Sequence, residues 1–272
     1  MSERAFPEQP EGSRAAILAA AGVTRRFGGL TAIDNVTFEV LDGEIFGLIG
    51  PNGAGKTTMM NLISGIIPPS AGRISFKGRS ITGLAPHAVA RLGIARTFQI
   101  MRPFAGLSVR ENVAIGARFG SADGPKSMAA ALEKADEVLA WIGLERRARE
   151  DVARLTTGER KKLELARALA MDPSLLLLDE VMGGLNTREI GEVMELIRRV
   201  NQLGVTVLLI EHLMKAVMGL CHRIVVLHHG ARIALGRPEA IATEPMVIEA
   251  YLGQRYAERQ AALGATEEGM VQ

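Results

Sequence analysis

The chain has 272 residues, 47% hydrophobic and 23% charged, the balance of a folded protein able to bury a substantial core, as one α/β domain with an inserted lobe or as two small domains. Lys and Arg number 32 against 30 Asp and Glu, so no global basic field argues for a nucleic-acid partner. No apolar run approaches the ~18–20 residues that span a bilayer, and the single cysteine, Cys221, excludes an internal disulfide framework. With no signal-peptide core at its start, the chain is expected to be cytoplasmic with its lone cysteine buried and inert; if it serves a membrane, it does so from the surface.

Residues 1–14, rich in Glu, Gln, Ser, Pro, Gly and Arg, are expected to form a disordered extension. From Ile17 to Val40, β-prone residues are broken at Phe27-Gly28-Gly29 and again at Ile33-Asp34-Asn35, which predicts strands joined by turns. Leu41-Asp42-Gly43-Glu44 reads as a hairpin turn feeding the apolar run Ile45–Ile49. There follows G-P-N-G-A-G-K-T-T at 50–58, and then the helix-spaced Met59, Met60, Leu62 and Ile63. Strand, glycine-rich loop and helix start, in that order, are the context in which G-x-x-x-x-G-K-[ST] cradles phosphate. Gly50, Gly53 and Gly55, with Pro51, Asn52 and Ala54 between them, let successive N–H groups turn inward toward an anion. The helix opening beyond Gly55 adds unpaired donors and the positive end of its dipole. Lys56 would reach the β- and γ-phosphates, the Thr57 hydroxyl would sit on Mg²⁺, and Thr58 completes the run. The motif predicts a bound nucleoside triphosphate and leaves kinase, GTPase and transport ATPase open.

Pro68-Pro69-Ser70-Ala71-Gly72 stops the loop helix, and Arg73–Phe76 reads as a short strand. From about residue 86 the pattern turns helical, with helices at 87–92, 109–117 and 129–142 and a β-like run, Ile94–Gln99, ending in glutamine. In the longest of these helices Leu132, Ala135, Val138, Leu139 and Ile142 share one face, and Trp141 beside it is expected in the core. Leu155-Thr156-Thr157-Gly158-Glu159 then stands at the mouth of a strong helix. That segment suits an ordinary Thr-capped helix or a helix start built to receive an anion. Leu175 to Leu178 is continuously apolar, as in a strand buried on both faces, and runs into Asp179-Glu180. Carboxylates there must be paired, metal-bound or functional. A helix at 190–200, a strand at 205–210, a helix at 212–220 and a hairpin around His229-Gly230 close the pattern. The alternation predicts a mainly parallel sheet covered by helices. A polar tail occupies 258–272, and no internal repeat is present, so each chain carries one nucleotide unit.

Taken in order, the phosphate loop, Gln99, L-T-T-G-E, L-L-L-L-D-E, the G-G-L-N at 183–186 and His212 after a strand resemble the ATP-binding subunit of an ABC transporter. The resemblance runs from about Ile17 to Gln254. It implies a P-loop NTPase α/β core with a mainly parallel sheet, an antiparallel β subdomain and an inserted α-helical subdomain at about 86–165, all within 15–257. It further implies that Phe27 stacks on adenine and that Gln99 touches Mg²⁺ or its water. Asp179 would hold the Mg²⁺ shell, Glu180 would polarise the attacking water, and His212 would contact the γ-phosphate. Taken one at a time the same residues read differently: Phe27 suits a core position, Gln99 and Asn186 a solvated one, and His212 the surface. Two subunits would sandwich two ATP molecules head to tail, with Thr156, Thr157, Gly158 and Glu159 of one, and its Asn186 loop, completing the site of the other. Thr157 and Glu159 stand where the family's L-S-G-G-Q has glycine and glutamine, which adds bulk and negative charge near phosphate. Val181 replaces a usual proline and Asn186 a common aspartate.

The stretches A-R-T-F-Q-I-M-R-P-F, E-H-L-M-K-A-V-M and A-Y-L-G-Q further resemble the subfamily that serves branched-chain amino acid importers, whose near relatives serve urea or other amides and lipopolysaccharide export. The implied partners are integral membrane permease subunits docking near Gln99–Arg110, a second ATPase subunit, identical or a sister chain, and indirectly a solute-binding protein. An ABC-type ATPase acting on DNA or ribosomes is the alternative of another class. Such proteins usually carry long coiled-coil insertions or two ATPase units, and this chain has neither.

Overall fold

The computed structural model describes residues 15–97 and 103–251. The expected N-terminal extension, the polar tail and Gln99 lie outside the described residues. Two long strands come first, β1 (Ala16–Phe27) and β2 (Leu30–Leu41), paired antiparallel about Gly28-Gly29. In β2 the buried Ile33, Val36, Phe38 and Val40 are interleaved with exposed Asp34, Asn35, Thr37 and Glu39, so the segment is amphipathic with a local irregularity. That irregularity falls where the sequence suggested a turn. Ile33–Asn35 does not break the strand. Instead Val23 pairs with Val36 and Arg25 with Ile33, which puts one extra residue into β2. Asn35 takes φ 47°, and its N–H donates to Thr24 Oγ1 at 3.0 Å. A β-bulge absorbs what the local composition read as a chain reversal.

Strands β4 (Ala71–Phe76) and β5 (Arg79–Ser80) complete a four-stranded antiparallel sheet in the order β2-β1-β4-β5. A second, six-stranded sheet runs β10-β9-β3-β8-β7-β6. Its members are β3 (Ile45–Ile49), β6 (Ile94–Arg96), β7 (Leu175–Asp179), β8 (Thr206–Ile210), β9 (Arg223–His228) and β10 (Ala231–Gly236). All its pairings are parallel except that of β10 at the edge. The turn at Leu41–Glu44 is therefore a corner between sheets, not a hairpin. All five residues of β3 are buried, and a strand apolar on both faces needs cover on both sides. Glu44 pins the corner: it is 2% exposed, accepts the Leu41 N–H at 2.7 Å and pairs with Arg223 Nε at 2.6 Å.

Each central strand sends alternate side chains into two cores. Phe46, Leu48, Leu175, Leu177, Leu208 and Val225 pack under β1, β2 and β4 with helix α1 (Lys56–Ile63). Ile45, Leu176, Leu178, Val207, Leu209 and Val226 pack under the remaining helices. These include α3 (Val109–Phe119), α4 (Met128–Ile142), α5 (Thr157–Leu169), α6 (Thr187–Gln202) and α7 (Met214–Leu220). The short α2 (Pro86–Arg91) precedes β6, and α8 (Pro238–Thr243) follows β10. Within the helical stretch Asn112 on α3 is fully buried, and its amide holds the backbone of Phe104, Leu107 and Ser108. Trp141 is half-buried beside the α4 core face, with the Arg199 guanidinium 4.5 Å from its ring centre. The helix expected from His212 begins only at Met214, because Leu213 is extended (ψ 94°). His212 is left in the loop.

Cys221, at the end of α7, packs its Sγ against the backbone of Gly47 in β3 and is 7% exposed. Burial pushes its thiol up to about 12. The native protein is therefore expected to resist iodoacetamide at pH 8, with alkylation appearing only as denaturant unfolds the chain; rapid labelling of folded protein would contradict the packing.

Candidate nucleotide site

Strand β3 ends at Ile49, and the loop 50–55 turns through three glycines with positive φ: Gly50 (154°), Gly53 (76°) and Gly55 (103°). At Gly50 a Cβ would lie 2.1 Å from the carbonyl oxygen of Leu227 on β9, so no other residue fits there. Pro51 and Ala54 are buried, whereas Asn52, Gly53 and Thr57 are exposed and Thr58 is half-buried. No side chain caps the start of α1, which leaves its first N–H groups as donors for an anion. Lys56 is 6% exposed and donates from Nζ to the carbonyls of Gly50 (2.7 Å) and Pro51 (2.9 Å), closing the loop around its ammonium. Burial lowers its pKa from the ordinary lysine value, while Glu180 and Asp179 pull the other way.

Asp179 is the last residue of β7 and is 3% exposed. Its Oδ2 accepts from Arg96 Nη2 at 2.9 Å, and its N–H donates to Thr97 Oγ1 at 3.2 Å. Arg96 Nη1 also donates to Asn61 Oδ1 (2.7 Å) and Ser64 Oγ (2.9 Å), in the last turn and at the C-cap of α1, the end away from the phosphate loop. One guanidinium thus joins β6, β7 and α1. No sequence motif marks Arg96; its only signal is that an arginine between the buried Ile94-Ala95 and the buried Thr97 is a charge that has to find partners.

Glu180 sits at φ 51°, and its N–H donates to Ile210 O at 3.0 Å. Its Oε1 lies 2.5 Å from His212 Nε2. Behind them Glu211 is 3% exposed and accepts the Met182 N–H at 2.8 Å. Burial raises the pKa of this carboxyl. Lys56, Asp179, Glu180 and His212 are thereby gathered at the carboxyl ends of β3, β7 and β8, where ligands of open α/β sheets bind. Phe27, at the end of β1, is not a core residue: it is 45% exposed, with the Arg25 guanidinium 4.5 Å from its ring centre.

A second cluster forms at the starts of α5 and α6. Thr156 caps α5, with Oγ1 accepting from Glu159 N at 3.3 Å while Glu159 Oε2 accepts from Thr156 N at 2.9 Å. The Glu159 carboxylate is also paired with Arg147 Nε at 2.9 Å. The Thr156 backbone N–H, and then Arg147, hold its pKa below the usual glutamate value. Its charge is thus taken up within the chain. Thr157 is exposed and Gly158 is buried. Asn186 caps α6 in the same way, accepting from Arg188 N and Glu189 N at 3.0 Å each. The two helix starts border one hollow of about 300 Å³, lined in part by Thr156, Gly158, Asn186 and Glu189.

Residues 33–183 match the ABC transporter family. The chain belongs to that family. This ABC ATPase is 41% identical over 250 residues to the high-affinity branched-chain amino acid transport ATP-binding protein LivG of Salmonella typhimurium, covering 88% of this chain and 98% of the relative. To the corresponding protein BraF of Pseudomonas aeruginosa it is 39% identical, again over 88% and 98%. Its fold matches the crystal structure of the ADP conformation of an ATP-binding cassette from an ABC transporter, with TM-score 0.79, 29% identity and 88% and 99% coverage. The ABC ATPase therefore binds and hydrolyses ATP and works with membrane permease components.

The Arg96–Asp179 pair is 7% and 4% exposed. Arg96→Met leaves a buried carboxylate without its partner and is expected to lower stability by about 3–5 kcal/mol in denaturant titration. Adding Asp179→Asn should restore much of that loss. A single-variant loss below about 1 kcal/mol would show that the pair holds little together.

Proposed function

We propose that this ABC ATPase powers import of branched-chain or closely related amino acids through a membrane permease, at the cytoplasmic face of the cell membrane. The observation that carries the reading is identity of about 40% along nearly the whole length of ATP-binding proteins named for branched-chain amino acid transport. Among the described residues no helix is long and apolar enough to cross a membrane. In this reading the solute path belongs to the permease subunits, and solute choice to them and to a solute-binding protein.

At the ATP site, Gly50–Thr58 with Lys56 receives the β- and γ-phosphates, and the exposed ring of Phe27 offers a face to adenine. The Thr57 hydroxyl and the Asp179 carboxylate are hard oxygen donors of the kind Mg²⁺ takes. Mg²⁺ is commonly bound by one or two carboxylates together with substrate phosphates and water. Bound Mg²⁺ would supply charge neutralisation on the phosphates. Gln99, outside the described residues, is assigned to the same ion. Arg96 orients Asp179. Glu180 accepts the proton of the attacking water, and His212, in contact with Glu180 Oε1, aims that carboxylate and reaches toward the γ-phosphate. A second ATPase subunit supplies Thr156, Thr157, Gly158, Glu159 and Asn186 from across the dimer, so each chain holds half of two sites. The exposed Phe104, on the loop fixed by Asn112, offers a contact for the permease.

Glu180→Gln is expected to bind ATP and form an ATP-dependent dimer while turnover falls on the order of 10²–10⁴-fold. Normal hydrolysis by that variant would reassign the base. In proteoliposomes with the neighbouring permease and solute-binding protein, ATP-driven uptake of leucine is expected to exceed that of urea. Uptake of urea alone would move the reading to the amide importers.

A further inference from the structure

We propose that Glu189 is a positioning residue that couples the Asn186 loop to the start of α5, so that the two segments a partner subunit would meet move as one unit. This rests on the reading above, in which both segments complete the ATP site of a second chain. The carboxylate of Glu189 faces two ways. Its Oε2 accepts the Asn186 N–H at 2.9 Å, while the Glu189 N–H donates back to Asn186 Oδ1 at 3.0 Å, closing the loop at the start of α6. Its Oε1 is turned to the neighbouring helix. A Cβ on Gly158 would lie 2.6 Å from that oxygen and 3.2 Å from the carboxyl carbon. A Cβ at 158 would therefore force the flexible end of the Glu189 side chain to move, so the carboxylate keeps this position against α5 only beside a glycine.

The placement on α5 matters. Thr156 Oγ1 takes the N–H of Glu159, leaving the N–H groups of Thr157 and Gly158 in the first turn without an intrahelical acceptor. Those are the donors a phosphate would use. A shift of the Asn186 loop carries the Glu189 carboxylate with it, and the carboxylate rests on the residue that bears one of these donors. A helix cap alone would do none of this: as a cap, Glu189 would stabilise α6 and be indifferent to residue 158.

A double-mutant cycle separates the two. Gly158→Ala, Glu189→Ala, the pair and Glu189→Gln are compared for ATPase kcat and KM, and, each placed in the Glu180→Gln background, for ATP-dependent dimerisation. Gly158→Ala is expected to lose about tenfold or more in kcat because its methyl displaces the carboxylate, and that loss should shrink to about twofold once Glu189 is alanine. Glu189→Gln, which keeps the shape and an acceptor oxygen, should stay near wild type. Binding of a fluorescent ATP analogue to the monomer should be unchanged throughout, since the phosphate loop is untouched. Multiplicative losses, or a Glu189→Ala variant that dimerises and turns over normally, would overturn the coupling. Failure of the Glu180→Gln parent to dimerise with ATP would instead sink the two-chain reading on which the coupling rests.

Discussion

The site is organised around a guanidinium that has almost no water. Arg96 reaches from the edge strand β6 to Asp179 on β7 and to Asn61 and Ser64 on α1. Burial lowers its pKa, with the Asp179 hydrogen bond and charge opposing that shift. Charges in such surroundings keep their place only if their partners keep theirs. The carboxylate assigned to the metal, and the helix that opens the phosphate loop, therefore share one electrostatic fastening. Lys56 adds a second one by folding back on the carbonyls of Gly50 and Pro51.

The residues whose spacing is dictated by a ligand were the legible ones. A phosphate cradle needs backbone N–H groups and hence glycine at set intervals, and a strand covered on both faces needs an unbroken apolar run, so Gly50–Thr58 and Leu175–Asp179 declared themselves. Three local signals misled because tertiary context outweighed them. Asp34-Asn35 carries turn chemistry but spends it on a bulge opposite Thr24. Asp42-Gly43 makes a turn, yet both faces of the strand after it are apolar, and that sends it to the other sheet. His212 looked like a helix start, but Glu211 is committed inward to Met182 N, and the chain has to stay extended through Leu213. Arg96 and Glu211 were illegible for a simpler reason. A single charge in an apolar run says that it needs a partner, not who the partner is.

The departures from the family pattern in the L-T-T-G-E segment also become intelligible at the level of hydrogen bonds. A glutamate in place of glutamine would place a negative charge by the phosphate if its side chain pointed outward. Here that carboxylate is occupied by the Thr156 N–H and by Arg147. The helix start keeps its positive end, and the substitution is compensated twelve residues upstream. Gly158, where a Cβ would push the Glu189 carboxylate aside, is retained from the family pattern together with Leu155.

The backbone of Glu180, at φ 51°, has a further consequence. Left-handed geometry costs an ordinary residue roughly 1–2 kcal/mol relative to glycine, and asparagine tolerates it better than glutamate does. The position assigned the hydrolytic base is thus occupied by a residue its own backbone disfavours, held there by the Ile210 carbonyl and by the buried strand that precedes it. A substitution chosen only for backbone stability would replace this side chain. The buried strand β7 and one backbone hydrogen bond hold a glutamate in a shape that glutamate would not choose.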